Sequence, residues 1–312
     1  MKIKTRRYQL YYSLKVLVFV AALMPLKVGL AAAEVLGRTA FSLAGKYRRM
    51  AVDNMNAVLG GEEEDNVRTA GRLFVNLVKN GVEWIKLSRM RPEDVGKMVT
   101  KCTGIEHLDK TLAAGRGAVV LGFHFGNWEL TGIYLKYKGY DGALIARRIY
   151  FHKYDKFIAR LRGRYDARMI YRDDSPKKML RELMEGRILG MLADQDVESV
   201  DGVFVDFFGR KAYTPTAPVK LAMTAGTKIV PLFVVRQEDD THHVVIEEPI
   251  DVAPGESKEE DVMRYTQAWT TLLEKYVRKY PDQWVWVHNR WKTRPEDPTK
   301  DESERAQAAV SS

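Results

Sequence analysis

From about residue 104 the sequence alternates between short apolar runs and stretches with helical spacing, and this alternation constrains the fold most strongly. Six apolar runs occur: AVVLGFH (118–124), GALIA (142–146), ARMIY (167–171), ILGMLAD (188–194), KIVPLFVV (228–235) and HVVIEE (243–248). Helical patterns separate several of them, at about 127–138, 153–164 and 176–186. Continuous apolar runs are typical of strands buried on both faces. The pattern therefore predicts an α/β fold with a mostly parallel, mixed sheet covered by helices.

Further helices are expected outside this region, at 66–87 and 257–280 and from about Pro92. We expect one α/β domain over residues 46–295. A helical, membrane-anchoring segment is predicted to precede it over residues 1–45. The polar tail, 296–312, has the composition of a disordered segment. The single cysteine, Cys102, excludes an internal disulfide framework and a multi-cysteine metal site.

The basic excess of the chain lies in its N-terminal segment. Residues 1–50 hold ten of the 50 Lys and Arg but one of the 41 Asp and Glu, so the net charge of +9 arises there. Nucleic-acid binding would usually require a basic face on the folded domain. A basic segment that alternates with tyrosines and apolar residues fits an anionic membrane surface better. We therefore expect a membrane partner and no nucleic acid.

The apolar run 16–26 is too short to cross a bilayer, which takes about 20 residues. A second apolar piece, 28–37, follows Pro25 and Lys27. An uncleaved anchor that lies in the membrane interface is the favoured interpretation. A single span and a cleaved signal peptide ending near residues 31–33 are the alternatives. The basic residues on the two sides of the run are equal in number, so they do not orient a span.

His124 closes the first apolar run, and Glu129 follows five residues later, in the first turn of the expected helix. This layout places an imidazole at the end of a buried strand, with a carboxylate near enough to hold its other nitrogen. Such a carboxylate fixes the tautomer and stabilises the imidazolium when the base accepts a proton. Gly122 and Gly126 would allow a substrate to approach, and helix N-terminal amides could support an oxyanion. An ordinary surface or core pair has the same spacing, and composition does not decide between the two.

The stretch HFGNWE (124–129) resembles the HxxxxD/E signature of the glycerolipid acyltransferase superfamily, in its HxxxxE form. The specific resemblance is to the lipid A late acyltransferases, the lauroyl and myristoyl acyltransferases of Gram-negative envelopes. It extends from the N-terminal apolar segment to about Pro295. The matching stretches are RLRGR (160–164), EGRILGMLADQD (185–196), FFG (207–209), TPTAPVKLAMTAGTKIVPLFVVR (214–236) and YPDQWVWVHNRWKTRPE (280–296). The last is the most specific.

The resemblance implies an O-acyltransferase without an acyl-enzyme, a cofactor or a metal. His124 would deprotonate the hydroxyl of a hydroxyacyl chain on a lipid A precursor, and Glu129 would orient the histidine. The alkoxide would attack the thioester of an acyl carrier protein, or of coenzyme A. The expected location is the cytoplasmic face of the inner membrane.

The family also implies an arginine on the helix after the signature and an aspartate at the next strand end. These correspond to Arg162 and Asp194. Arg162 would hold a phosphate or a developing negative charge, and Asp194 would orient Arg162 or the acceptor. Arg160 and Arg164 are equally available in that stretch, and Asp194 could be a simple capping residue.

Five residues are expected to bind substrate: Gly126, Asn127, Arg147, Arg148 and Gln195. The chain departs from the family at Arg147-Arg148, where many members carry an Asn-Pro pair. It also reads ADQD where others read PDQ or PDH, which leaves the aspartate in place.

Other functions remain open at this point. The protein could acylate another lipid, such as an ornithine lipid, a glycolipid or a pigment-linked lipid. It could also be a non-catalytic lipid-binding protein of the same fold, or a thioesterase. The pair His242-His243 is interpreted as exposed edge residues, and the C-terminal tryptophans as core residues.

Overall fold

A computed structural model describes residues 2–87, 90, 92–149, 152, 153, 155, 156, 158 and 168–296. Its helices are α1 Lys2–Leu23, α2 Leu26–Leu43, α3 Gly45–Val58, α4 Glu63–Leu87, α5 Pro92–Met98, α6 Ile105–Ala113, α7 Leu130–Tyr137, α8 Pro176–Met184, α9 Ala217–Ala225 and α10 Lys258–Lys279. Its strands are β1 Val99–Thr103, β2 Ala118–Gly122, β3 Gly142–Ala146, β4 Arg168–Tyr171, β5 Ile188–Leu192, β6 Gly202–Phe207, β7 Arg210–Pro215, β8 Ile229–Arg236 and β9 His242–Ile246.

Seven of these strands form one sheet, in the order β1-β9-β8-β2-β5-β3-β4. Strands β8 and β9 run antiparallel, and the other neighbouring pairs are parallel. Every residue of β2 and β8 is buried, as expected for strands that helices cover on both faces. The predicted α/β fold with a mostly parallel, mixed sheet is confirmed. Its six apolar runs correspond to β2, β3, β4, β5, β8 and β9.

The sheet separates two apolar cores, because successive side chains of a strand point to opposite faces. Val119 and Leu121 of β2 pack on the side covered by α8, α9 and α10. Val120 packs on the other side, which α5, α6 and α7 cover. The two faces meet at the carboxyl edge of the strands, where β2 and β5 end side by side.

The C-terminal segment after α10 packs over a hairpin that the sequence did not predict, formed by β6 and β7. The Phe207 ring stacks on Trp291, with 5.8 Å between the ring centroids, and meets Trp284 edge-on. Trp284 and Trp286 are fully buried. The core role predicted for these two tryptophans is therefore confirmed.

The N-terminal region is a pair of helices broken at Pro25, with α2 packed along α4. None of the helices in the described part of the chain combines the length and the apolar character that a membrane span requires. Large apolar side chains are nevertheless exposed on both helices: Val16, Leu17, Phe19, Val20, Leu23, Val28, Val35, Leu36 and Leu43.

Gly37 lets α2 approach α4 closely. A Cβ at this position would lie 2.5 Å from Val75 Cα, whereas a Cβ at Gly81 of α4 would meet nothing within 4 Å. Gly37→Ala is expected to destabilise the protein by about 1–3 kcal/mol, because one of the two backbones must move. Gly81→Ala, the matched control, should stabilise it by about 0.5–1 kcal/mol through helix propensity.

Urea unfolding, followed by circular dichroism, measures both changes. Equal effects of the two substitutions would contradict the packing of α2 against α4.

Candidate active site

His124 and Asp194 lie side by side at the carboxyl edge of the sheet. In the parallel pair β2–β5, Gly122 lies opposite Leu192, so the residues two positions beyond each strand end are neighbours. The Nδ1 of His124 is 2.8 Å from Asp194 Oδ1, and the backbone N–H of His124 donates to Asp194 Oδ2 at 3.0 Å. The strand register therefore pairs the imidazole with this carboxylate.

Asp194 is fully buried and accepts a third hydrogen bond, from Trp284 Nε1 at 2.9 Å. Burial would raise the pKa of Asp194, but the charge of His124 and the hydrogen bonds from His124 and Trp284 lower it below its usual value. An ionised Asp194 requires a hydrogen on Nδ1 of His124. The neutral ring then has its lone pair at Nε2, where it can accept a proton.

The loop that carries His124 is fixed by a short antiparallel pairing with the C-terminal segment. Phe125 and Trp284 form a bridge. Val285 N–H donates to the His124 carbonyl at 3.1 Å, and Gly126 N–H donates to the Gln283 carbonyl at 2.8 Å. Gly126 has a φ of +54°, and a Cβ there would lie 1.6 Å from the Val234 carbonyl oxygen. Only glycine fits this turn.

Next to His124 lies a cavity of about 960 Å³ that reaches both faces of the sheet. On the α7 side its walls include Val120, Gly122, Gly132, Leu144 and Gly190. On the side of α8 and α9 they include Met179, Leu180, Met191 and Leu221. His124, Trp128 and Glu129 line the same cavity. The imidazole therefore borders a cavity with apolar walls on both faces of the sheet.

Comparison with known proteins identifies the family. Residues 2–293 match the family described as bacterial lipid A biosynthesis acyltransferase. The chain belongs to this family. The predicted membership of the lipid A acyltransferases is thus confirmed.

The individual relatives that match the chain differ in the lipid or the acyl group that their names state. The chain is 30% identical to the lipid A biosynthesis lauroyltransferase of Escherichia coli (strain K12) over 208 residues, 63% of each chain. It is 28% identical to the phosphatidylinositol mannoside acyltransferase of Mycobacterium tuberculosis (strain CDC 1551 / Oshkosh) over 192 residues, 60% of this chain and 58% of the relative. It is 24% identical to the E. coli lipid A biosynthesis palmitoleoyltransferase over 234 residues, 74% and 71% of the two chains. The chain thus covers less than two thirds of the first two relatives.

Glu129 caps α7 and does not lie in its first turn, because α7 begins at Leu130 and residues 123–129 form the loop between β2 and α7. The Nδ1 contact that the family resemblance assigned to Glu129 is made by Asp194. Asp194 was expected to orient Arg162 or the acceptor, and the structure instead places it against the histidine. Arg162 lies outside the described residues. A catalytic role for Glu129, which lines the cavity with His124, stays a prediction.

The predicted substrate-binding residues divide into two groups. Arg147 and Gln195 line the cavity. Arg148 instead pairs with Asp173 and Asp174, at 3.1 and 3.2 Å.

Gly126 and Asn127 support the His124 loop. Asn127 is fully buried and donates to Glu83 Oε2 at 2.7 Å, and it is not among the residues that line the cavity. Its predicted role in substrate binding stays a prediction. The backbone of the loop directs the Asn127 side chain toward α4.

The sequence-based prediction that His242 is an exposed edge residue is wrong. Its strand, β9, lies between β1 and β8, so the side chain is fully buried, with Nε2 3.2 Å from Glu83. His243 points the other way, half-buried, with Nε2 3.0 Å from Thr103 Oγ1. The two histidines differ because successive side chains of a strand point to opposite faces of the sheet.

Sequence reasoning missed Trp284 as a partner of the site and missed the pairing of His124 with Asp194. One signal was available, since AVVLGFH and ILGMLAD both end in a polar, ionisable residue. The sequence of the two runs does not show that they become neighbouring strands, because that depends on the tertiary structure.

The Trp284 hydrogen bond provides a test of the buried carboxylate. Trp269 is equally buried, but its Nε1 has no partner among the described residues. Trp284→Phe should cost about 1.5–3 kcal/mol more in unfolding free energy than Trp269→Phe, because only the first removes a hydrogen bond to a charged group. Urea unfolding at pH 7 measures both, and equal losses would argue against an ionised Asp194.

Proposed function

We propose that the protein is an O-acyltransferase that moves a fatty acyl chain from an acyl carrier protein thioester, or from acyl-coenzyme A, to a hydroxyl of a lipid A precursor. The observation that carries the proposal is the His124–Asp194 pair at the rim of an apolar cavity. Membership of the lipid A acyltransferase family supports the reaction class.

In this mechanism His124 acts as the general base. Its Nε2 takes the proton of the acceptor hydroxyl, and the oxygen attacks the thioester carbonyl. The tetrahedral intermediate then expels the thiolate, and the imidazolium returns the proton to sulfur. Asp194 stabilises the imidazolium and holds the ring in one tautomer. An ester forms and a thioester breaks, with no covalent enzyme intermediate.

The cavity suits two apolar chains that meet at His124. Its walls on both faces of the sheet are mainly aliphatic, and each buried methylene contributes about 0.8 kcal/mol. Arg147 and Gln195 lie in the same cavity and could bind the polar part of the acceptor. Glu129 would act at this polar end, beside the reacting hydroxyl, and Arg162 would bind phosphate.

The membrane surface is the proposed location of the reaction, on the cytoplasmic face of the inner membrane. The exposed apolar side chains of α1 and α2, in a segment that holds the basic excess of the chain, fit an interfacial anchor. Lys153 Nζ lies 4.4 Å from the centroid of the Tyr8 ring of α1. Ile158, five residues after Lys153, lines the cavity. An anchor formed by α1 would therefore keep the cavity near the lipid.

A second acceptor class is favoured by one comparison. The mannoside acyltransferase relatives match nearly as well as the lauroyltransferase, at 28% against 30% identity. A mannosylated or otherwise glycosylated lipid is therefore the alternative acceptor at the same site.

Acyl transfer by the purified protein tests the proposal. Acyl carrier protein that bears a labelled acyl chain is supplied with a lipid A precursor, and in a separate reaction with a mannosylated phosphatidylinositol. The products are identified by mass spectrometry. His124→Ala should abolish transfer, and Asp194→Asn should lower it by about 10²–10⁴-fold, because the imidazolium loses its counter-charge. Asp251→Asn, at an exposed carboxylate that pairs with Lys228 and does not line the cavity, is the control and should transfer at the parental rate.

Each outcome separates the candidates. No transfer to the precursor would remove the leading acceptor, and transfer to the mannoside would establish the second. Free fatty acid as the sole product would mean a thioesterase. Unchanged transfer by His124→Ala would refute the base.

Charges on the exposed face of α1 test the anchor. Leu17→Glu with Val20→Glu should lower binding to vesicles containing anionic lipid at least about tenfold, since burying a charge in the interface opposes insertion. Met184→Glu with Met263→Glu changes two residues outside α1 that are at least as exposed as Val20, and this variant should bind normally. Sedimentation with vesicles measures both, and equal binding by the two variants would refute an anchor at α1.

A further inference from the structure

Behind the His124 loop lies a buried ionic cluster that the mechanism above does not use. It comprises Asn80 and Glu83 of α4, Arg236 at the end of β8, and His242 of β9, together with Asn127 of the loop. Glu83 and His242 are fully buried, and Arg236 is nearly so. None of the five is among the residues that line the cavity.

We propose that Glu83 is a positioning residue, which aims His124 at the substrate by holding the turn at Gly126-Asn127. This inference rests on the proposed function for the reaction that it affects. Two residues of α4, one helical turn apart, grip two consecutive residues of the turn. Asn80 Nδ2 donates to the Gly126 carbonyl at 2.6 Å, and Asn127 Nδ2 donates to Glu83 Oε2 at 2.7 Å.

The carboxylate of Glu83 is itself held rigidly. Arg236 donates to both of its oxygens, at 2.6 and 2.7 Å, and His242 Nε2 lies 3.2 Å from Oε2. Arg236 also donates to Asn80 at 2.7 Å, which closes the cluster into a ring of contacts. Burial opposes ionisation of Glu83, yet the hydrogen bonds and charges of His242 and Arg236 lower its pKa to about 2.

Stability alone is a weak reason for such a cluster. Replacing a buried ion pair with well-packed apolar side chains is often neutral or stabilising, because two charges must leave water. What an apolar cluster cannot supply is a fixed acceptor for Asn127 and a fixed donor for the Gly126 carbonyl. Those two contacts set the direction of the loop that begins at His124, and small displacements of a catalytic group can cost about 10²-fold in rate.

The position of the turn affects the chemical step more than substrate binding, because the cluster faces away from the cavity. Asn127→Ala cuts the link to the turn and leaves the contacts among Glu83, Arg236 and His242 in place. We expect kcat to fall by about 10–100-fold with KM changed less than about twofold. Glu83→Gln should act in the same direction. Because it leaves Arg236 without its carboxylate, it should also lower the midpoint of unfolding.

Asp261→Asn is the control, since Asp261 is equally buried and paired with Arg264 but belongs to the first turn of α10. It should lower stability without lowering kcat. The proposal is overturned if Asn127→Ala keeps the parental kcat, if it raises KM alone, or if Asp261→Asn loses as much kcat. A rise in KM alone would indicate that Asn127 binds the substrate.

A spectroscopic measurement keeps this test apart from the reaction itself. Nitrogen-labelled histidine in the full-length protein should report the hydrogen-bonded Nδ1 proton of His124, assigned by its loss in His124→Ala. Asn127→Ala should shift or broaden this resonance, and Asp261→Asn should leave it unchanged. If the parental protein transfers no acyl group, the proposed function fails. An unmoved His124 resonance in Asn127→Ala would instead refute the positioning role.

Discussion

The carboxylate of Asp194 is the group on which the arrangement of the site depends. It is fully buried, and His124 and Trp284 hold its pKa below the usual value against the effect of burial. A buried carboxylate is tolerated only when hydrogen-bond donors surround it. Its donors come from two places that are far apart in the chain, the end of β2 and the C-terminal segment. The register of β2 against β5 and the path of residues 280–296 are therefore both required before His124 acquires its partner.

The same sheet edge also explains where the cavity lies. Parallel strands bring their carboxyl ends to one side, and ligand sites in such sheets form there. Here the edge also joins two cores on opposite faces of the sheet, so the cavity has apolar walls on both. Under the proposed function, a base on this edge would meet one chain held on each face of the sheet.

Much of the sheet was predictable from the sequence because six of its strands coincide with short, mainly apolar runs. Strands β1, β6 and β7 were missed. β1 and β7 contain several polar residues, and the apolar residues of β6 pair only with β7, outside the main sheet. His124 was predictable from its place after β2. Its pairing with Asp194, the burial of Asn127 and the contact of His242 with Glu83 were not, because each depends on which segments become neighbours in space.

Two buried carboxylates, one beside the cavity and one behind the His124 loop, hold this loop. Asp194 binds His124 itself, while Glu83 binds Asn127, three residues further on. A loop held at one end alone could rotate about the other. With Asp194 on one side, Glu83 on the other and Gln283 between them at Gly126, its path has no free hinge among these contacts. The loop as a whole therefore sets the direction of the imidazole. Its rigidity requires two carboxylates to be buried, and their desolvation opposes folding.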